Sequence, residues 1–387
     1  AQVVALTTAQ VSALSTADLA ALTTAQFAVM RTGQIGALTS TQAAALETAD
    51  LGALGTSAIR ALTPAALAAL GSAQTQALTT TQFASLTSAQ VVALTTAQMA
   101  ALETADLAAL TTAQVRVLGS SQLDALGSAQ VPALTTGQVV ALTSAQVAAL
   151  STADLTALTT SQFSVMTSGQ IGALTSAQIG AMETADLGAL TTASLRSIAP
   201  ASLAGLGSAQ LQALTTAQYA ALTTAQVAGL TSTQVPVIET ADLAAFSSAQ
   251  IAALPAASIG ALTSAQVQAL STGQVVALTS TQLAAVTTAQ IAALETADVA
   301  ALTTAQIKLL SSDQLGALDS LQIPALTTAQ VAALTTAQFG TLASADLVAL
   351  TTAQFAAVTT GQVATLSSAQ LAALETVDLA SLRTNAI

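Results

Sequence analysis

The chain has 387 residues, 53% hydrophobic, 6% charged and 2% aromatic, and 18 acids against 6 bases give it a net charge of −12. Ordinary soluble domains carry roughly 25% charge, so this surface is not kept in water in the usual way. With no His, Cys or Trp, thiol and imidazole chemistry, His or Cys metal sites and disulfides are excluded, and the acidic balance is the wrong sign for nucleic-acid phosphates or anionic lipid.

From Ala1 to Ile387 the sequence repeats with a period of 8 and no insertion or deletion, as 48 octads with 3 residues over. The first full octad runs from Leu6 to Ala13, and its eight places are numbered from Leu6. The first place is large and apolar in every copy and is Leu in 40 of 48. The exceptions are Met30, Met166, Met182, Ile198, Ile238, Phe246, Val286 and Val358. The third place is Ser or Thr at 45 of 48 sites, the others being Pro64, Pro200 and Ala256. The fifth is Gln or Asp almost throughout, as in Gln10 and Asp18. The sixth is apolar again (Val11, Leu19, Phe27), with Ala43 and Thr75 as rare lapses, and the fourth and eighth are mostly Ala or Gly.

An unbroken helix advances about 100° per residue, so an 8-residue pattern overshoots two turns by about 80° and winds around the helix. A plain strand fails because Leu6 and Val11 have opposite parity and face opposite sides of a sheet. A short helix restarted in every octad fits. Thr-Thr-Ala-Gln is a capping-box sequence, in which a hydroxyl and a Gln side chain satisfy free backbone N–H groups. Val11 and Leu14 then lie three apart on one face. In Leu62-Thr63-Pro64, proline takes the first helical position, where its missing N–H costs nothing. A cap one residue later, at the third-place hydroxyl, is equally compatible with the pattern.

One octad cannot recover the entropy of its own ordering, and helices this short are marginal alone. Each unit therefore needs its neighbours, which is the energetics of a solenoid. The expected fold is an all-α solenoid of 8-residue repeats, a β-solenoid being the alternative because Thr and Val suit strands.

Asp replaces Gln at the fifth place at Asp18, Asp50, Asp106, Asp154, Asp186, Asp242, Asp298, Asp346 and Asp378, with successive gaps of 4, 7, 6, 4, 7, 7, 6 and 4 octads. The first three gaps add up to 17 octads, a sequence offset of 136, and at that offset Arg60 recurs as Arg196, Pro64 as Pro200 and Met30 as Met166. An offset of 192 pairs Arg116 with Lys308 and Pro132 with Pro324. Whole octads have been duplicated and shuffled, and no linker interrupts them, so residues 1–387 are expected to form one continuous repeat domain. No signal peptide or transmembrane run is expected, since polar residues break every octad.

The best constellation is Glu-Thr-Ala-Asp, at Glu47/Asp50, Glu103/Asp106, Glu183/Asp186, Glu239/Asp242 and Glu295/Asp298, with Glu375/Asp378 in Glu-Thr-Val-Asp. Two carboxylates three apart can contribute to a calcium site, which wants six to eight oxygens. Equally, acids in a first helical turn favour the positive end of the helix dipole. No other cofactor is expected. Of the bases Arg31, Arg60, Arg116, Arg196, Lys308 and Arg383, four (Arg60, Arg116, Arg196 and Lys308) occupy the seventh place with Ser12, Gly36 and Pro132, which reads as the outward face. They can pair with acids of an adjacent chain. Rows of Thr and Ser also raise an ice-binding face, against which stands their use as caps. Six equivalent carboxylate pairs on a repeat look structural rather than catalytic, so no enzyme is expected.

Octads such as those in 86–106 and 142–154 resemble the Leu-Thr-Thr-Ala-Gln repeat tracts of large secreted or surface, adhesin-like bacterial proteins. That resemblance implies an extracellular structural role. The expectation is a filament, sheath or stalk built by self-association, with no nucleic acid and no membrane insertion; the alternative is a calcium-dependent or ice-binding surface protein.

Overall fold

The computed structural model describes residues 2–382, so Arg383 lies outside the described residues. Two compact units are present, residues 1–198 and 199–387. Both are built from the same element, an α-helix of four to six residues in almost every octad, and no strand occurs among the described residues.

The octad Thr87–Leu94 shows how the element forms. Thr87 is the N-cap, with φ −75° and ψ 156°, and the helix spans Ser88–Ala93. The Gln90 N–H donates to Thr87 Oγ1 at 3.3 Å and the Thr87 N–H donates to Gln90 Oε1 at 2.9 Å. This is a complete capping box, and it settles the phase: the cap is the second place. Pro64 accordingly opens the helix Pro64–Ala68 behind its cap Thr63.

Each helix ends for the reason the next begins. To continue past Leu94, the Thr95 N–H would have to donate back into the helix; it donates instead to Gln98 Oε1 at 2.8 Å. Leu94 turns to φ −58° and ψ 130° while its N–H closes a tighter bond to the Val91 carbonyl at 3.2 Å. The corner is two extended residues that any L-amino acid can adopt, and no described residue has positive φ. Glycine is therefore not needed at the corners, and the repeat continues without a special turn residue.

Proline at the seventh place weakens the element. Pro132 and Pro236 sit in 3-10 segments, Val131–Ala133 and Val235–Val237, and the octad around Pro324 keeps only hydrogen-bonded turns. A proline there cannot donate the i→i−4 bond an α-helix requires.

Stacking follows from the places. The sixth-place and first-place side chains are buried in nearly every octad, as with Val91 and Leu94, and places two to four and seven face outward. Helices three octads apart pack together, for example Thr8–Ala13 with Thr32–Gly36 in the first unit and Ala256–Gly260 with Ser280–Ala285 in the second. Residues directly stacked are 25 apart on one side, as Ser144 on Gly169, and 31 apart on another, as Gln42 on Val11. Midway lies 28, so one superhelical turn takes about three and a half octads.

Packing is imperfect beside Val286. In the second unit an apolar cavity of about 20 Å³ is lined by Val267, Leu278, Val286 and Leu294, among others. Val286 is one of the two first-place valines, so the cavity sits where a leucine is shortened by a methylene. Restoring it with Val286→Leu is expected to raise stability by roughly 0.5–1 kcal/mol, read as a higher urea midpoint. An unchanged or lower midpoint would show that the site cannot accept the extra carbon.

Candidate functional site

The buried polar groups form the site the fold is built around. Most fifth-place glutamines are almost entirely buried, as with Gln82 at 2% exposure. Their Oε1 atoms complete the caps just described. Their Nε2 atoms reach the turn below, as Gln82 donates to the Leu51 carbonyl at 2.9 Å and the Leu54 carbonyl at 2.7 Å. The same pair of bonds, to residues 31 and 28 earlier, recurs at Gln114, Gln138, Gln170, Gln290 and Gln338. One side chain thus ends the preceding helix, caps its own and ties two superhelical turns. No buried side-chain N or O among the described residues lacks a partner, as a packed interior demands.

Sequence reasoning assigns Gln only its capping role and misses the inter-turn bond. A signal is present. A capping box accepts Glu as readily as Gln, yet every Glu of the chain stands at the second place and none at the fifth. Only the amide supplies both an acceptor for the cap and a donor for the turn below.

Where Gln is replaced, the structure shows what else reaches. Ser194 Oγ donates to the Met166 carbonyl at 3.1 Å and Ser258 Oγ to the Leu230 carbonyl at 2.9 Å, both 28 residues earlier. A carboxylate cannot donate. Asp186 Oδ1 instead accepts from Thr160 Oγ1 at 2.7 Å, and Asp242 Oδ1 from Thr216 Oγ1 at 2.6 Å, both from the turn below.

In the Glu-Thr-Ala-Asp octads the aspartates Asp50, Asp106, Asp186, Asp242 and Asp298 are buried, as is Asp378, while Glu47, Glu103, Glu183, Glu239, Glu295 and Glu375 are exposed N-caps. None of these glutamates makes a side-chain cap bond. Burial, with the neighbouring Glu103 carboxylate, pushes Asp106 up to about 6. Burial likewise raises Asp186, Asp298, Asp346 and Asp378. The exposed Asp18 moves the other way, because the Ser15 hydroxyl and N–H donate to it at 2.7 and 3.0 Å. Each pair brings two carboxylates near one helix start, and among the described residues no three His, Cys, Asp or Glu gather at metal-binding distance.

Second-place hydroxyls are consumed as caps, and third-place hydroxyls lie outside. Some of the latter bridge turns, as Ser144 Oγ donates to the Gly169 carbonyl at 2.9 Å and Ser248 Oγ to the Gly273 carbonyl at 3.2 Å. The seventh-place Arg60, Arg116, Arg196 and Lys308 are exposed, as expected from the outward face. No helix among the described residues is long and apolar enough to cross a membrane.

Short capped helices, a two-row apolar core and a glutamine tie between turns define an all-α octapeptide-repeat solenoid. The chain belongs to the ALTTAQ repeat family, whose profile matches eleven segments: 11–47, 43–80, 76–102, 99–136, 147–183, 179–216, 203–237, 235–272, 267–295, 291–328 and 340–376. No curated protein and no solved structure gives a significant match.

Proposed function

We propose that the chain is an extracellular structural protein that forms or lines a filament, sheath or adhesin stalk by self-association. The observation that carries this reading is the outward face: places two to four are exposed in octad after octad and are mostly Thr, Ser and Ala. Such a face carries few charges and is poorly protected against lateral association. The interior supports the same reading, because a turn tied to the next by the same side chain extends to any length without redesign.

Sedimentation across a wide concentration range, with electron microscopy of the same samples, tests the proposal. Concentration-dependent assembly into elongated particles is expected. A protein that stays monomeric at every concentration removes the structural reading and leaves the ligand-binding alternative.

A further inference from the structure

We propose that the partner is a second copy of the chain lying alongside in parallel register, with a glutamate side of one against a basic side of the next; this rests on the self-association reading above. In the first unit Arg60, Arg116 and Arg196 each follow a cap glutamate, Glu47, Glu103 and Glu183, at a constant sequence offset of 13. The fourth seventh-place base, Lys308 in the second unit, follows Glu295 at the same offset. Every seventh-place base of the chain is thus paired in sequence with an exposed acid at one fixed distance. The reverse is incomplete, since Glu239 is followed at that distance by Ala252.

The superhelix gives that distance its meaning. The offset is close to half of the 28-residue turn, so acid and base face opposite sides of the stack. They are all exposed, and among the described residues none of these bases has a carboxylate at ion-pair distance. Successive acids keep to one side. Glu47 and Glu103 are seven octads apart, two such turns, and Glu103 and Glu183 are ten apart, half an octad short of three turns. The bases repeat these intervals on the other side.

Within the first unit, a second copy displaced sideways without rotation therefore sets its basic side against the first copy's acidic side at every pair. Acid and base differ in height by half a turn, about 5 Å for helix layers about 8–10 Å apart, which Glu and Arg side chains span. The two patches are different surfaces, so the contact is heterologous and propagates instead of closing. Exposed ion pairs are individually weak, so the charges set register while the uncharged hydroxyl and methyl face supplies the area.

Two full-length charge variants test this. One carries R60E, R116E, R196E and K308E; the other carries E47K, E103K, E183K and E295K. All eight positions are exposed, and circular dichroism is to check that both variants fold. In sedimentation at low salt the wild type is expected to assemble, and less so as salt screens the pairs. Each variant alone should need at least about tenfold higher concentration, and an equal mixture should recover wild-type assembly. A glutamate variant that assembles like the wild type, or a folded mixture that does not assemble, overturns the charge register while leaving self-association standing. A wild type that stays monomeric overturns both.

Discussion

Replacing Gln114 by Leu is expected to cost about 2–5 kcal/mol, although it exchanges one buried side chain for another of similar size. The Leu86 carbonyl loses the Gln114 Nε2 donor at 2.8 Å, and the Thr111 N–H loses its Oε1 acceptor at 2.6 Å. Each orphaned buried group costs about 1–3 kcal/mol. Gln114→Glu discriminates further. It keeps an acceptor for the Thr111 N–H, so a residue that only caps should tolerate it. If the inter-turn bond matters, Glu is at least as damaging as Leu at neutral pH, because it sets a carboxylate against the Phe83 and Leu86 carbonyls. The checks are the urea midpoint of both variants and amide exchange at Thr111 and its neighbours. A Glu variant as stable as the wild type would reduce the glutamine to a cap.

That substitution also marks where the sequence stops being informative. The octad and its restart are readable because they are local: a hydroxyl, a glutamine three places on, and Pro64 near a helix start; the phase is left open by one residue until the structure puts the cap at the second place, as at Thr63 and Thr87. The outward seventh place is readable because Arg60, Gly36 and Pro132 share it. The number of octads per turn is not, since it depends on how far Leu94 and Thr95 bend the chain, and those dihedral angles leave no trace in residue type. The buried aspartates escape for the same reason. Asp106 and Glu103 read as a matched pair at a helix start, yet one points into the stack and the other to solvent. Only the stacking separates them. The prolines show the opposite limit: Pro324 turns a regular octad into turns, and its seventh-place position alone predicts a lost helical bond.

The aspartates that burial raises, Asp106 foremost, are expected to make the solenoid firmer in mild acid, the reverse of ordinary acid denaturation. At Asp106 the carboxyl rises from 3.8 to about 6, so the folded state binds the proton more tightly than the unfolded one. The resulting stabilisation is complete below 3.8 and is lost as pH rises through about 6. Asp186, Asp298, Asp346 and Asp378 act in the same sense. Asp18, lowered by Ser15, opposes them only as pH falls through its own depressed range. Burial is the main cause, followed by the Glu103 carboxylate; Ser194 and Ser258 show what an acid form adds, since their hydroxyls, shorter than an aspartic acid, already reach the carbonyl 28 residues earlier. A protonated Asp106 gains that donor, and the helices packed against it, Thr80–Ser85 and Val131–Ala133, carry no ionisable group to compete. The melting temperature is therefore expected to climb by a few degrees between pH 7 and pH 4.5. Falling net charge pushes the same way, and Asp106→Asn separates the two. The amide supplies a donor at every pH, so the variant should melt about 2 °C or more above the wild type at pH 7 and should converge with it near pH 4.5. A melting temperature that falls steadily from pH 7 to pH 5, or a constant offset between variant and wild type, would mean that these carboxyls do not face the carbonyls of the turn below.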